Sequence, residues 1–137
     1  AKLGVEVVTP EIATADDIPG VLAEMPEDID AIFCISDSMV LSRVADIVAA
    51  ANERKIPVTA VSRAHVEAGT LMGFGSEFNT VGKQTAGVAA QVLKGVDPAT
   101  LPVEESEYFL FVNQNTADLL GITFPDEALR TAAGVIR

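Results

Sequence analysis

The feature that most restricts how this chain can fold is an exchange of two apolar rhythms along its length. Ala31 to Ile35 (AIFCI) is an unbroken apolar run of strand length, the pattern of a strand covered on both faces, as in a parallel sheet. Directly after it, Val40, Val44, Ile47, Val48 and Ala51 recur three or four residues apart and form one stripe on a helix ending near Arg54. Pro57 cannot continue that helix and opens the strand Val58 to Val61. A short polar helix around Ala64 to Ala68 follows, then a turn at Gly69 and the strand TLMGFG, spoiled by Gly73 and Gly75. Asn79 or Thr80 caps the longest helix, whose stripe is Val81, Thr85, Val88, Ala89, Val92 and Leu93 and whose closing signals are Lys94 and Gly95. Strand alternating with helix at this spacing requires right-handed crossovers, so the expected fold is α/β with a doubly wound parallel sheet.

The flanks extend the pattern. AKLG at the start reads as the last turn of a helix, with Lys2 near its negative end and Gly4 as the left-handed residue beyond it, before Val5 to Val8 begin a strand. A domain rarely starts on a helix's final turn, so a preceding helix and the strand feeding it are expected in a longer parent. Thr14 to Met25 is a short helix, capped by Thr14, with Asp16 and Asp17 in its first turn. After the loop VDPATLP come a strand, Glu107 to Asn113, a short helix, Asn115 to Leu120, stopped by Gly121, and a last helix, Pro125 to Ile136.

Composition narrows the function. The 137 residues suit one core, and 49% of them are apolar, so the chain is neither disordered nor fibrous. Twenty acidic against nine basic residues leave a net charge of −11, which repels phosphate backbones and makes nucleic acid an unsuitable partner. The single cysteine, Cys34, rules out an internal disulfide and a multi-cysteine metal site; in mid-strand among apolar neighbours it reads as core. No ligand cluster for a metal and no cofactor motif is present: GFGSEF starts like a dinucleotide loop but has Phe78 where the third glycine must stand.

In a parallel sheet, ligands bind outside the carboxyl ends of the strands. Three successive strand ends here carry small polar, charged and aromatic groups: Ser36, Asp37 and Ser38; then Ser62, Arg63 and His65; then Ser76, Glu77 and Phe78. Together they suit a small ligand with both charge signs and some apolar surface. Taken singly, Asp37 or Ser38 can equally be a helix cap and Ser62 a strand end. Two catalytic chemistries compete. Ser36 or Ser38 with His65 and Asp37 would be a hydrolase constellation, but the G-x-S-x-G elbow is absent and His65 reads as a surface residue on its short helix. Asp16, Asp17 and Asp37 resemble a receiver's acidic cluster, but the acceptor would belong on the third strand.

The stretches DAIFCISDSMV, ANERKIPVTAVS, VEAGTLMGFG, VGKQTAGVAAQVLKGVDPATLPVE and FVNQNTADLLGITFPDEAL follow, in order, the later half of ABC-transporter substrate-binding proteins of the two-lobed, type I periplasmic-binding fold, which the whole chain resembles. The resemblance implies a single lobe over 1–137, with a second-lobe core over about 1–76 and crossover segments over 77–137. It implies no enzyme, but reversible capture of a small polar or zwitterionic solute such as an amino acid, aromatic ones included. The ligand-binding residues would be Ser36, Asp37, Ser38, Ser62, Arg63, Glu77 and Phe78, with no cofactor or metal. It further implies an ABC permease as partner of the full-length parent, in a periplasmic or extracellular setting with a lipid anchor as one option; a sensor's input domain is the alternative role. The family's polar element after the second strand is matched by Ser36–Asp37–Ser38, whereas Ser62–Arg63 and Ser76–Glu77 depart from its usual acidic residues. An isolated lobe would also expose apolar surface that self-association covers, so a homo-oligomer is expected.

Overall fold

The computed structural model describes residues 4–137, and the expected helical turn over residues 1–3 lies outside them. Five strands, β1 (Ile32–Phe33), β2 (Val58–Ala60), β3 (Met72–Ser76), β4 (Tyr108–Asn113) and β5 (Gly134–Ile136), form one sheet in chain order. The β1–β2, β2–β3 and β4–β5 pairs are parallel, and β4 runs antiparallel to β3. Seven helices accompany them: α1 (Ile18–Ala23), α2 (Ser38–Ser42), α3 (Val44–Glu53), α4 (Arg63–Glu67), α5 (Phe78–Leu93), α6 (Gln114–Leu120) and α7 (Asp126–Thr131). The expected α/β class and largely parallel sheet are observed.

Residues opposite one another in a ladder share a face, and alternate residues along a strand change face. One face therefore carries Cys34, Val58, Ala60, Gly73 and Phe111, all buried. Its core joins Cys34, Val58 and Ala60 to Ile18 of α1, Ile47 and Ala51 of α3, and Ile56. The other face carries Met72, Leu110, Val112 and Val135, which pack with Leu71, Ala117 of α6, Phe124 and Leu129 of α7. Burial in the first core pushes the Cys34 thiol up to about 11, so it is a packing group and not a nucleophile at neutral pH.

Several elements differ from expectation, each for an identifiable reason. Val5 to Val8 forms no strand; Val5, Val7 and Val8 are exposed, and no described residue offers this segment a ladder, without which an extended backbone gains nothing over water. Gly4 does take the left-handed conformation, with φ 67°. Before α1 the chain makes a 3-10 turn, Ala15–Asp17. The Asp17 carboxylate accepts from Thr14 N (2.7 Å), Ala13 N (3.0 Å) and the Thr14 hydroxyl (3.1 Å), bonds that hold its pKa below the usual range.

Ala31 to Ile35 is covered on one face only, since Cys34 is buried while Phe33 and Ile35 are exposed. Gly73 and Gly75 do not spoil β3; they are required by it. A Cβ on Gly73 would stand 2.9 Å from the Ser62 carbonyl oxygen, and one on Gly75 only 1.8 Å from that of Val61, so the turn after β2 crosses β3 in backbone contact. Glu77, not Asn79 or Thr80, caps α5, its Oε2 accepting from Thr80 N at 3.0 Å. β4 is antiparallel because α5 and the following loop bring the chain back to the edge it left, where the Ser106 and Ser76 hydroxyls lie 2.7 Å apart. The last helix stops at Thr131: Ala133 N donates to Leu110 O, and Gly134–Ile136 pairs with β4, a long-range ladder overriding a local helical pattern.

Candidate functional site

The turns after β1, β2 and β3 leave the sheet at one edge because these strands are parallel neighbours. Ser62 ends the β2 turn as the extended N-cap of α4, and Arg63 is that helix's first residue. One strand further, Ser76 closes β3, Glu77 caps α5 and Phe78 starts it. Between these two turns lies a cavity of about 420 Å³ lined by Ser62, Arg63, Ala64, Glu67, Ser76, Glu77, Phe78 and Asn79. Of the seven residues expected at the site, Ser62, Arg63, Glu77 and Phe78 line this cavity, whereas Ser36, Asp37 and Ser38 share the edge without lining it. Asp37 caps α2, its Oδ1 accepting from Met39 N (2.7 Å) and Val40 N (3.3 Å), so the capping role weighed from the sequence is present, with Oδ2 making no hydrogen bond to a described residue.

Within the cavity the groups divide by chemistry. Arg63 Nε donates to Glu67 Oε1 at 2.7 Å across one helical turn, and no other hydrogen bond of the guanidinium to a described residue is present. Its Nη edge is thus open for a bidentate acceptor such as a carboxylate. Glu77 Oε1 accepts from Asn79 Nδ2 (3.2 Å), and Oε2 accepts from both Thr80 N (3.0 Å) and the Thr80 hydroxyl (3.3 Å), which leaves one lone pair open on Oε1. The Phe78 ring is 73% exposed, an unusual position for an aromatic beside a cavity unless something else covers it. Glu67 and Asn79 were not singled out from the sequence; the four-residue spacing from Arg63 to Glu67 was the available signal for the first.

His65 is buried, 3% exposed, and not on the surface as its short polar helix suggested. The α4 helix turns that face onto the sheet, where Val66 is fully buried as well. Ser62 Oγ lies 2.6 Å from His65 Nδ1, Nε2 has no partner, and desolvation lowers the imidazole pKa. Ser62 therefore turns its hydroxyl inward, and Ser36 and Ser38 at the neighbouring strand end do not pair with His65. The acidic cluster of a receiver is not assembled either: Asp16 pairs with Arg43 and Asp37 caps α2. Among the described residues no three His, Cys, Asp or Glu stand together as metal ligands, and no helix is long and apolar enough to cross a membrane.

Comparison with known proteins adds independent findings. A family model described as ABC transporter substrate binding protein matches residues 1–136. A tyrosine-binding protein of Clostridioides difficile (strain R20291) is 27% identical over 122 residues, which are 87% of this chain and 35% of that protein. Among solved structures, an ABC domain from Streptococcus pneumonia in complex with L-Trp superposes with a TM-score of 0.87 at 31% identity, over 98% of this chain and 46% of that one. A conserved domain protein from Vibrio cholerae gives 0.83 at 29% identity, again over 98% and 46%. A ligand-free, open substrate-binding protein with adhesive properties from Clostridium difficile gives 0.77 at 27%, over 98% and 45%. The chain thus spans less than half the length of these relatives.

Proposed function

The chain belongs to the ABC transporter substrate binding protein family, whose members bind solutes and are not enzymes, and from that premise we propose that it forms one wall of a site for a zwitterionic amino acid with an aromatic side chain. The cavity between the β2 and β3 turns carries this reading. It brings a guanidinium edge, a carboxylate with one acceptor site open on Oε1 and an unburied aromatic ring around a space within the ~300–1,000 Å³ range of small-molecule sites. Arg63 receives the ligand carboxylate in a fork, Glu77 faces its ammonium group, and Phe78 offers a ring face to its side chain. Two relatives support the aromatic class: one is named for tyrosine binding, and the other was solved with L-Trp.

Capture is reversible and proceeds by closure of a second wall over the first. In this proposal residues 1–76 are the lobe core and residues 77–137 the crossover segments. An uncovered apolar stripe on α5, which buries none of its residues, is what a segment that packs against a further lobe presents. Delivery is to an ABC permease, on the outer side of the cytoplasmic membrane. Ser36, Asp37 and Ser38 flank the cavity and shape its rim.

Amide chemical shifts of the 137-residue chain, followed while L-tyrosine or L-tryptophan is added, test the assignment. Shifts centred on Arg63, Glu77 and Phe78, weaker with L-alanine and lost in Arg63→Ala, are expected. With one wall present, binding is weak, near the millimolar level or about −4 kcal/mol. Shifts centred on Asp37, or none with any amino acid, would overturn the assignment; micromolar affinity would show that a second wall is unnecessary.

A further inference from the structure

An ion pair between successive turns of a helix ordinarily supports that helix, but the one in α4 runs against the supporting order. A helix dipole favours acidic residues in the first turn and basic ones in the last, and i,i+4 pairs are better with the acid first. In α4 the cation, Arg63, is the first residue and the anion, Glu67, the last. Both side chains are about half exposed, where an ion pair adds little to stability. Helix stability therefore does not account for the pair, whereas the cavity that both residues line gives it a use.

The backbone under the pair is held from its buried side. Asn113 Nδ2 donates to Val66 O at 2.9 Å, and Ser62 Oγ lies 2.6 Å from His65 Nδ1. At Gly73 the helix rests so closely on β3 that a Cβ there would stand 2.8 Å from Val66 Cγ2. On a backbone fixed in this way the long Arg63 side chain would still sample many rotamers, and two contacts restrict it. Its Nε donates to Glu67 Oε1 at 2.7 Å, and its guanidinium carbon lies 6.0 Å from the centroid of the buried Phe111 ring. Because the guanidinium is planar, fixing one N–H direction and one face orients the whole fork. Neither Nη group is used in doing so. These supports all come from α4, β3 and β4 of this chain, so they hold whatever closes the far side of the cavity.

We infer that Glu67 is a positioning residue for ligand capture: it holds Arg63 Nε so that the Nη edge meets a ligand carboxylate already aligned, and it touches no ligand atom itself. This rests on the amino-acid site proposed above and identifies what makes that site selective for a carboxylate. A guanidinium that is ordered beforehand loses less rotamer freedom when the ligand arrives. The inference also has a distinctive sign. As a bare charge beside the cavity, Glu67 would repel a carboxylate, so its removal would strengthen binding. As the holder of the fork, its removal weakens binding.

Titrations of the 137-residue chain, followed by NMR, use L-tryptophan, indolepropionate, which lacks the ammonium group, and tryptamine, which lacks the carboxylate. Glu67→Ala should weaken L-tryptophan and indolepropionate about three- to fivefold and leave tryptamine unchanged. Glu67→Gln, which keeps an acceptor oxygen for Arg63 Nε, should restore most of the loss. In an Arg63→Ala background, Glu67→Ala should have no further effect. Without ligand, the Arg63 Nε–H signal should be that of an ordered group in the wild type and Glu67→Gln and of a motionally averaged one in Glu67→Ala, with the amide spectrum of the fold retained. Unchanged or tighter carboxylate binding in Glu67→Ala overturns the inference and leaves the site standing. Weakening of L-tryptophan and tryptamine but not of indolepropionate overturns it in favour of direct contact between Glu67 and the ammonium group. No shift with any of the three compounds in the wild type overturns the proposed site, and this inference with it.

Discussion

Helices α3 and α5 carry the same sequence signal and meet opposite fates. Each has apolar residues three and four apart on one face. In α3 the stripe of Val44, Ile47, Val48 and Ala51 is buried, with Ile47 and Ala51 packed into the core shared by the sheet and α1. In α5, Val81 and Val88 are half-buried, Ala89 and Val92 are exposed, and Leu93 is 88% exposed. Amphipathic spacing states that a face wants a partner; whether the same chain supplies one depends on where the preceding turn aims the helix. Pro57 returns the chain from α3 directly into β2, so α3 is clamped between neighbours, while α5 leaves the sheet edge and is followed by a long loop.

The contrast can be broken most sharply by truncation. Ile47→Ala should cost about 2–4 kcal/mol in chemical denaturation, because a buried methylene set is lost and a cavity left; Val88→Ala should stay within about 0.5 kcal/mol. Equal losses at the two sites would mean that α5 is packed in solution.

A second test uses α4, which like α3 is clamped to the sheet. His65 is the only histidine, and its folded pKa lies below the usual 6.5 because burial disfavours the imidazolium. The unfolded chain then binds the proton better, so His65 contributes its full stability above pH 6.5 and loses it as the pH falls through the lowered folded value. Stability should decline below pH 6.5 by up to about 1.4 kcal/mol per pH unit, and His65→Gln should flatten the decline between pH 7 and 5. A slope unchanged in the variant would assign the effect to other groups.

The smallest effect distinguishes the caps. Asp37→Ala removes the cap of α2, which leads into the buried α3, and should lower global stability by about 1 kcal/mol. Glu77→Ala uncaps α5, which buries nothing, so it should speed amide exchange in residues 78–81 while global stability moves by less than about 0.5 kcal/mol. A global loss matching that of Asp37→Ala would show α5 to be part of the cooperative unit.

Which parts were legible in the sequence follows from the range of the forces involved. The strand around Val58, the stripe of α3 and the stop at Gly121, which takes φ 72°, are set by residues a few positions apart, and their expected places match. Arg63, Glu77 and Phe78 were identifiable at strand ends because parallel order alone brings strand ends to one edge. That Asp37 turns onto its own helix, and that Ser62 turns inward to His65, depends on ångström-scale distances that residue type does not encode.

By itself, then, the sequence determined the class of fold, the position of most elements and the edge at which chemistry collects, since periodicity and strand direction are local properties carried along the chain. The tertiary structure alone decided the reversal of β4, the conversion of the last helix's end into β5, the need for glycine at positions 73 and 75, and the bare faces of α5 and the sheet. These are outcomes of which distant surfaces reach one another, and burial is a property of pairs of surfaces that no single segment possesses.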